Sequence, residues 1–484
     1  DSSNNNSIVN NNFVNNGLVV YNSYSNTVTD NTVNGKPLVY LENASNVEVT
    51  NAGQVIAVNS QNITVRNLVL SNATFGIEFW NTSYSRIENN IIANNLAGIY
   101  LVFFSDYNTI TNNTISENDY GGIFLESSSN NSIENNTISE NNYGGIFLYS
   151  SSNNLIYNNI FNNTNNVLIS NSQNTWNTTL TEGTNIIGGN LLGGNFWASP
   201  DGNGFSQTCV DEEAPYGICD QPYVIGENNV DYLPLSTLYS VSGEIFYSGS
   251  GSGKVIVFTF VDLENSKPVS WIILDSPGAY TLRLPNGTYY IAAWMDINGN
   301  LQPENGDPIG LAINKTIYEQ PDQITVQGDD VSGVNITLYR GADLNISSIE
   351  VNPQQPVSGQ EVRVNVTVQN IGDLDAPSFN VTLLVNNTEL LHTWTVDRLS
   401  RSESILLSLS GSPEAGVYEI KAIADPENKV WESNEENNES SIIVTVSPTP
   451  PPTTPPTTPP PTTTPTPTPP PTTPPTTPPP TTTP

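Results

Sequence analysis

The sequence has 484 residues and a formal net charge of −34, with 13 Lys and Arg against 47 Asp and Glu. A chain this acidic is repelled by nucleic acids and anionic membranes, so we expect neither as a partner. One His, one Met and two Cys leave few ligands for transition metals. No stretch of about 18 apolar residues occurs, so we expect no membrane span. This length indicates several domains.

Residues 112–134 and 135–157 are nearly identical: NNTISENDYGGIFLESSSNNSIE and NNTISENNYGGIFLYSSSNNLIY. The same spacing continues upstream, and fainter copies begin at residue 3, so that about eight turns of about 20–23 residues are expected. A period this short, with strand-like alternation, is typical of a solenoid whose coils are strands. We expect Ile to point inward and Asn to occupy the corners, where it tolerates left-handed backbone and bonds to the next coil. The sequence predicts an all-β chain that begins with a right-handed parallel β-helix over residues 1–235.

The closing segment of this region carries four ordered motifs: GNFW at 194–197, DGNG at 201–204, DQPY at 220–223 and NVDY at 229–232. It resembles the NosD-type β-helix proteins common on archaeal surfaces. That resemblance implies a relation to carbohydrate-binding and sugar-hydrolase β-helices, and to a periplasmic copper-linked protein. Residues 1–235 contain no His or Met, so we do not expect copper. Cys209 and Cys219 lie in the same loop-like stretch, which in an exported protein favours one disulfide.

Three further units follow. Residues 236–341 alternate as hairpins of a β-sandwich, and GAYTLRLPNGTYYI (278–291) is similar to carboxypeptidase-regulatory, transthyretin-like domains, which are adaptors without catalysis. Residues 342–446 resemble the CARDB domain, an immunoglobulin-like module named for cell adhesion, through VTVQNIG (366–372) and the acidic stretch at 425–438. Residues 447–484 are almost only Pro and Thr, which predicts an extended polyproline-II stalk suited to O-glycosylation.

Three acidic clusters are candidates for Ca²⁺. The first has the oxygen-ligand rhythm of a calcium loop, at Asp296, Asn298, Asn300, Gln302, Glu304 and Asp307. The second surrounds the expected disulfide, at Asp201, Asn203, Asp211 and Asp220. In both, the alternative is a turn whose side chains bond to its own amides. The third, at Asp425, Glu432, Glu435 and Glu436, is more typical of a solvated acidic turn.

The acids of the β-helix are scattered singly rather than in repeated pairs, and basic side chains are scarce. Paired carboxylates or a base with a charge partner would be needed to cleave a polysaccharide, so we expect no catalytic residues. Outward positions of the repeat instead form an aromatic face, which suits sugar rings or a protein partner unless another domain or a loop covers it. Its residues are Trp80, Tyr100, Tyr120, Phe124, Tyr143, Phe147 and Tyr149.

Export is further indicated by eighteen N-x-[S/T] sequons, although Asn-rich sequence also produces these by chance. We therefore expect an extracellular, glycosylated cell-surface protein that binds glycans or other surface proteins. The alternatives are a polysaccharide-active enzyme and a structural surface-layer or filament subunit. Residues 1–12 have the pattern of the middle of a repeat. We therefore expect the open end of the β-helix either to dock on another chain or to follow further coils. The sequon residues are Asn5, Asn43, Asn62, Asn72, Asn81, Asn112, Asn130, Asn135, Asn162, Asn177, Asn286, Asn314, Asn335, Asn345, Asn365, Asn380, Asn386 and Asn438.

Overall fold

The computed structural model describes residues 2–249, 251–263, 267–304 and 306–450. This part of the chain is almost entirely strand and turn, as the sequence predicts. The stalk predicted over 447–484 lies outside the described residues from position 451 onward.

The elements of the first 235 residues recur at the spacing of the sequence repeat. They are β1 (Ser7–Val9), β2 (Asn12–Phe13), β3 (Thr27–Thr29), β4 (Thr32–Val33), β5 (Lys36–Glu42), β6 (Ser45–Val49), β7 (Gln54–Val58), β8 (Gln61–Arg66), β9 (Val69–Ser71), β10 (Phe75–Trp80), β11 (Arg86–Glu88), β12 (Ile91–Ala93), β13 (Ala97–Val102), β14 (Thr109–Thr111), β15 (Thr114–Ser116), β16 (Gly121–Glu126), β17 (Ser132–Glu134), β18 (Thr137–Ser139), β19 (Ile146–Tyr149), β20 (Leu155–Tyr157), β21 (Ile160–Asn162), β22 (Val167–Ser170), β23 (Thr181–Glu182), β24 (Leu191–Leu192), β25 (Phe196–Ala198), α1 (Phe205–Thr208), β26 (Tyr223–Gly226) and β27 (Asn229–Asp231).

Three sheets form the walls of a parallel β-helix, and each coil adds one strand to each wall. The long wall has the order β2-β4-β5-β7-β10-β13-β16-β19-β22, and its neighbours are parallel except for the antiparallel β4–β5 pair. The second wall is β20-β17-β14-β11-β8-β6, and the third is β25-β21-β18-β15-β12-β9. The solenoid predicted from the repeat is therefore confirmed.

Isoleucines in step with the repeat fill the core. Ile87, Ile110, Ile133 and Ile156 occupy paired positions on successive strands of the second wall and are fully buried. The same holds in the third wall for Ile92, Ile115 and Ile138. Identical side chains stack on one another because successive coils are in register, which explains why the two best repeats differ so little.

Asparagines form ladders along the corners. In one ladder each backbone N–H donates to Oδ1 of the Asn one coil further on, at 2.9–3.1 Å. Its members are buried: Asn90, Asn113, Asn136, Asn159 and Asn195. The residue before the ladder Asn is the one with left-handed backbone, at Asn89, Asn112 and Asn135. The sequence predicted both roles for a corner Asn, and the structure divides them between two adjacent Asn residues.

Residues 17–24 cross the outer surface of the long wall, and we name them the N-terminal strap. The side-chain amide of Gln54 accepts from Leu18 N at 2.9 Å and donates to Leu18 O at 2.7 Å. Both carboxylate oxygens of Glu78 accept from Val20 N at 3.2 Å. The strap therefore covers part of the outward face, which is one of the two alternatives that the sequence left open.

The closing motifs form a cap at the end of the solenoid. Asn195 continues the Asn ladder, and Asp231 accepts from Asn195 N at 2.8 Å and from Trp197 Nε1 at 2.9 Å. Burial raises the pKa of Asp231 to about 6, although these donors oppose the shift. The predicted disulfide between Cys209 and Cys219 is present beside this cap. Two of the motifs that carry the NosD resemblance, GNFW and NVDY, thus hold the cap together.

Two β-sandwich units follow. The first contains β28 (Tyr239–Phe246), β29 (Lys254–Phe260), β30 (Ser270–Leu274), β31 (Ala279–Leu284), β32 (Gly287–Asp296), β33 (Ile309–Leu311), β34 (Ile324–Val326) and β35 (Ile336–Thr337), in the sheets β31-β28-β35 and β30-β29-β32-β33 with β34 on β32. The second contains β36 (Leu344–Asn352), β37 (Val362–Asn370), β38 (Phe379–Val385), β39 (Glu389–Val396), β40 (Ser404–Gly411), β41 (Gly416–Ala424) and β42 (Glu439–Val446), in the sheets β36-β37-β40 and β39-β38-β41-β42.

The acidic stretch between β41 and β42 is not the solvated turn that the sequence predicts. Glu432 is fully buried and accepts from Leu344 N at 2.5 Å and from Asn438 Nδ2 at 2.9 Å. Asp425 is also buried and accepts from Val430 N at 2.7 Å. These carboxylates satisfy backbone amides at the end of the sandwich. Burial raises the pKa of Glu432 to about 8.

Candidate functional site: an aromatic groove on the β-helix

An open groove of about 350 Å³ crosses the outer surface of the long wall, and we name it the aromatic groove. Strands β10, β13, β16 and β19 and the turns before them form it. Tyr100 lies between the apolar cluster under the strap and the aromatic cluster of the groove, so the two features are adjacent. The lining residues are Phe75, Leu96, Ala97, Tyr100, Tyr120, Phe124, Leu125, Glu126 and Tyr149.

The groove has two aromatic layers. Phe124 and Phe147 stack with ring centroids 4.2 Å apart and are buried. Tyr120 and Tyr143 stack above them at 5.4 Å and are exposed. Because the lower pair fixes the upper pair, the exposed rings are held in place before any ligand arrives.

The residues of the predicted aromatic face lie at different depths. Tyr120, Tyr143 and Tyr149 are exposed and Tyr100 is half-buried. Phe124 and Phe147 are buried beneath the tyrosines, although Phe124 still lines the groove.

The prediction that Trp80 belongs to an exposed face is wrong. It is buried beneath the strap, and its Nε1 donates to Tyr24 Oη at 2.8 Å. A loop covers this end of the aromatic column, which is one of the two alternatives that the sequence left open.

The polar chemistry of the groove is limited. Tyr100 Oη donates to Glu126 Oε2 at 2.6 Å. Burial of Tyr100, together with this hydrogen bond, raises the pKa of its phenol well above the usual range. Glu126 is the sole carboxylate among the lining residues. Glu78, which pairs with Tyr100 across the wall, is sealed beneath Val20, and its burial raises its pKa to about 8.

The two carboxyl groups nearest the groove do not form a facing pair. A glycosidase holds two carboxyl groups at a set separation across one opening, whereas Glu126 and Glu78 do not face a common opening. The basic side chains of the β-helix are Lys36, Arg66 and Arg86, and none of them lines the groove. Glu126 and the tyrosines are the side chains of the groove that could act as a base.

The first predicted calcium loop folds around its own amides. Asp296 accepts from Gly299 N at 2.7 Å and from Leu301 N at 2.9 Å. The amides of Asn298 and Asn300 both donate to the carboxylate of Glu304, at 2.8 and 2.6 Å. The loop therefore brings together most of the predicted ligands, and calcium there stays a prediction.

The second predicted calcium set divides into two local groups. Asp201 accepts from Asn203 N at 3.1 Å within one turn. Asp211 accepts from Gly217 N at 2.8 Å, and Asp220 accepts from backbone amides of the loop before it. Across the described residues, no three Asp, Glu, His or Cys side chains form a metal-ligand group.

Of the eighteen sequon asparagines, seventeen are exposed or half-buried. The prediction of Asn438 as a glycosylation site is wrong for the folded domain, because this side chain is buried and its amide donates to Glu432 and Glu435. Four exposed aromatic residues at one corner of the β-helix were not predicted from the sequence: Tyr84, Phe103, Phe104 and Tyr107. The available signal was an aromatic residue where other coils carry Asn or Ser.

Fold and groove together define a parallel β-helix protein with appended β-sandwiches. Residues 1–202 match the family model described as periplasmic copper-binding protein (NosD), and residues 341–442 match the CARDB model. Through this C-terminal domain, the chain belongs to the CARDB family. Neither family is one of enzymes, and the two matches together indicate a periplasmic or surface protein.

Several solved structures are similar to parts of this chain. A CARDB domain from Pyrococcus furiosus, in complex with di-metal ions, is 32% identical; 22% of this chain and 90% of that chain are covered, with a TM-score of 0.21. A putative cell surface protein domain from Methanosarcina acetivorans is 32% identical, with 22% and 91% covered and a TM-score of 0.20. The enzymatically active domain of tailspike protein 2 from bacteriophage CBA120 is 15% identical, with 62% and 58% covered and a TM-score of 0.24. No curated protein matches the chain.

Copper does not fit the β-helix. Copper sites in proteins use His, Cys and Met, and the β-helix offers only two Cys, both in the disulfide. The chain's one His, His392, lies on β39, and its one Met, Met295, is buried in β32. In the described part of the chain, no helix is long and apolar enough to cross a bilayer.

Proposed function

We propose that this protein binds carbohydrate through the aromatic groove, as an extracellular surface protein. The observation that carries the proposal is the pair of exposed, stacked tyrosines, Tyr120 and Tyr143, held over buried Phe124 and Phe147 beside an open groove. Flat aromatic faces next to water suit the apolar faces of sugar rings. A ring held by packing loses little entropy when a ligand binds.

Neutral sugars fit the groove better than anionic ones. Glu126 and the tyrosine hydroxyls offer hydrogen bonds, and no Lys or Arg lines the groove. The net charge of −34 adds long-range repulsion against an anionic polymer. We therefore propose a neutral polysaccharide or glycan as the ligand.

Binding without turnover is the second part of the proposal. It is supported by the single groove carboxylate, Glu126, which accepts from Tyr100, and by the sealed position of Glu78. In this view the accessible sequons carry N-glycans and the CARDB domain supports adhesion to other surface components.

The groove is tested by measuring equilibrium binding of the full chain to a panel of immobilised neutral glucans, mannans and galactans. The variant Tyr120→Ala with Tyr149→Ala removes two exposed rings of the groove, and its melting temperature is measured in parallel because Tyr120 packs on Phe124 and Phe147. The control is Tyr232→Ala, an exposed tyrosine outside the groove. We expect the groove variant to lose about tenfold in affinity for the bound glycan and the control to bind normally. Wild-type strength in the groove variant, or no binding by the wild type, would overturn the proposal.

A further inference from the structure

Four aromatic side chains project from the corner that follows the long wall, and we name them the aromatic ridge. Tyr84, Phe103, Phe104 and Tyr107 are 61, 43, 59 and 52% exposed. The rings of Tyr84 and Tyr107 stack at 5.1 Å with an interplanar angle of 2°, and Phe103 meets Phe104 at 5.2 Å. The buried ring of Trp80 stacks on Phe103 at 5.2 Å and so supports the ridge from beneath.

The backbone of the ridge is strained. Its four residues have φ between +56° and +63°, a left-handed conformation in which a bulky side chain costs about 1 kcal/mol or more per residue. Left-handed backbone is common at the corners of this β-helix, but at most of them the residue is Asn or Ser rather than a bulky aromatic residue. Residues held in a costly conformation cluster at functional sites.

Other coils show that the fold does not need aromatic residues at this corner. Tyr84 and Tyr107 each donate a backbone N–H to a carbonyl one coil further on, and Asn62, Asn130 and Asn153 make the same hydrogen bond in their own coils. Asn adopts left-handed backbone at low cost. The sequence therefore replaces the favourable residue by a strained and exposed aromatic one in two adjacent coils.

The ridge is continuous with the groove. Phe103 N donates to the carbonyl of Glu126 at 3.0 Å, and Glu126 lines the groove. Phe103 directly follows β13, whose Tyr100 also lines the groove. A chain-like ligand leaving the groove along the strand direction would therefore reach the ridge next.

We propose that the aromatic ridge is a second carbohydrate subsite, which binds the continuation of a neutral polysaccharide whose first units lie in the groove. This inference rests on the function proposed above. Charge favours a neutral chain, because Arg86, the basic residue nearest the ridge in sequence, is already paired with Glu88 at 3.0 Å. The ridge is flanked by neutral hydrogen-bonding groups such as Asn81 and Ser83 and by one carboxylate, Asp106, which accepts from Ser129 N at 2.6 Å and would repel an anionic ligand.

The test compares short and long oligosaccharides of whichever neutral glycan the full chain binds, for example the two-unit and six-unit members of one series. The variant Tyr84→Asn with Tyr107→Gly removes both rings and installs residues that adopt left-handed backbone at low cost, and Gly at 107 avoids the new N-x-T sequon that Asn would form with Thr109. We expect it to lose about tenfold in affinity for the six-unit ligand and less than about twofold for the two-unit ligand. Its melting temperature should stay level or rise, because strain is released.

Each outcome decides between the two proposals. Equal affinity of variant and wild type for both lengths would overturn the ridge and leave the groove intact. Absence of neutral-glycan binding by the wild type would overturn both. A variant that binds both lengths normally but no longer self-associates in sedimentation would identify the ridge as a contact between copies of the chain and would overturn the carbohydrate subsite.

Discussion

Glu78 should make the attachment of the N-terminal strap sensitive to pH. It is fully buried, and its carboxylate meets a single donor, Val20 N. Burial raises its pKa from 4.5 to about 8. The closed state therefore keeps the proton that an open state, with Glu78 in water, releases near pH 4.5. Strap stability is greatest below pH 4.5 and falls as the pH rises towards about 8.

The size of the effect follows from the shift. At 1.36 kcal/mol per pKa unit, the rise from 4.5 to about 8 corresponds to roughly 5 kcal/mol, of which about 3 kcal/mol is lost by pH 7. The variant Glu78→Gln mimics the protonated side chain and does not titrate. We expect it to match the wild type at pH 4.5 and to hold the strap more tightly by about 3 kcal/mol at pH 7.

The assay is hydrogen exchange of peptides that cover residues 17–24, corrected for the intrinsic exchange rate at each pH, which gives the free energy of strap opening. Glu140→Gln, a change at an exposed acid of the same β-helix, is the control and should leave the profile unchanged. Parallel pH profiles for wild type and Glu78→Gln would refute the reasoning.

Three further predictions follow from the structure. Asn136→Ala should destabilise the β-helix by about 2–4 kcal/mol in urea unfolding, because it leaves ladder amides buried without partners, whereas exposed Asn142→Ala should be nearly neutral. Gly122→Ala should cost about 1–3 kcal/mol in the same assay, since the added Cβ would lie 2.6 Å from the carbonyl oxygen of Gly145. Calcium should raise the melting temperature and slow hydrogen exchange across residues 296–307. The variant Asp296→Asn should abolish both effects. If exchange is the same in calcium and in chelator, the calcium prediction is wrong.

The repeat made the solenoid predictable because each coil packs on a near copy of itself. Residues in step along the sequence, such as Ile110 and Ile133, must then stack in space. The cap motif around Asn195 was predictable as a motif, although its role as the end of an Asn ladder was visible only in the structure.

The surface was less predictable, because it depends on contacts between distant residues. Trp80 and Glu78 occupy outward positions of the repeat, and only the path of residues 17–24 buries them. The acidic stretch containing Glu432 has the composition of a solvated turn. In the fold, however, Glu432 is buried and accepts a hydrogen bond from Leu344 N, 88 residues away in the chain. The ridge was missed because its signal is a departure from the repeat rather than the repeat itself.

The central claim is that the groove binds a neutral glycan without cleaving it. The most direct measurement incubates the full chain with the glycan that it binds and follows, in one reaction, the bound fraction and the number of new reducing ends. We predict that the bound fraction stays constant, that no reducing ends appear, and that Tyr120→Ala with Tyr149→Ala lowers the bound fraction. Reducing ends that increase with time and with protein concentration would contradict the claim and identify the protein as an enzyme.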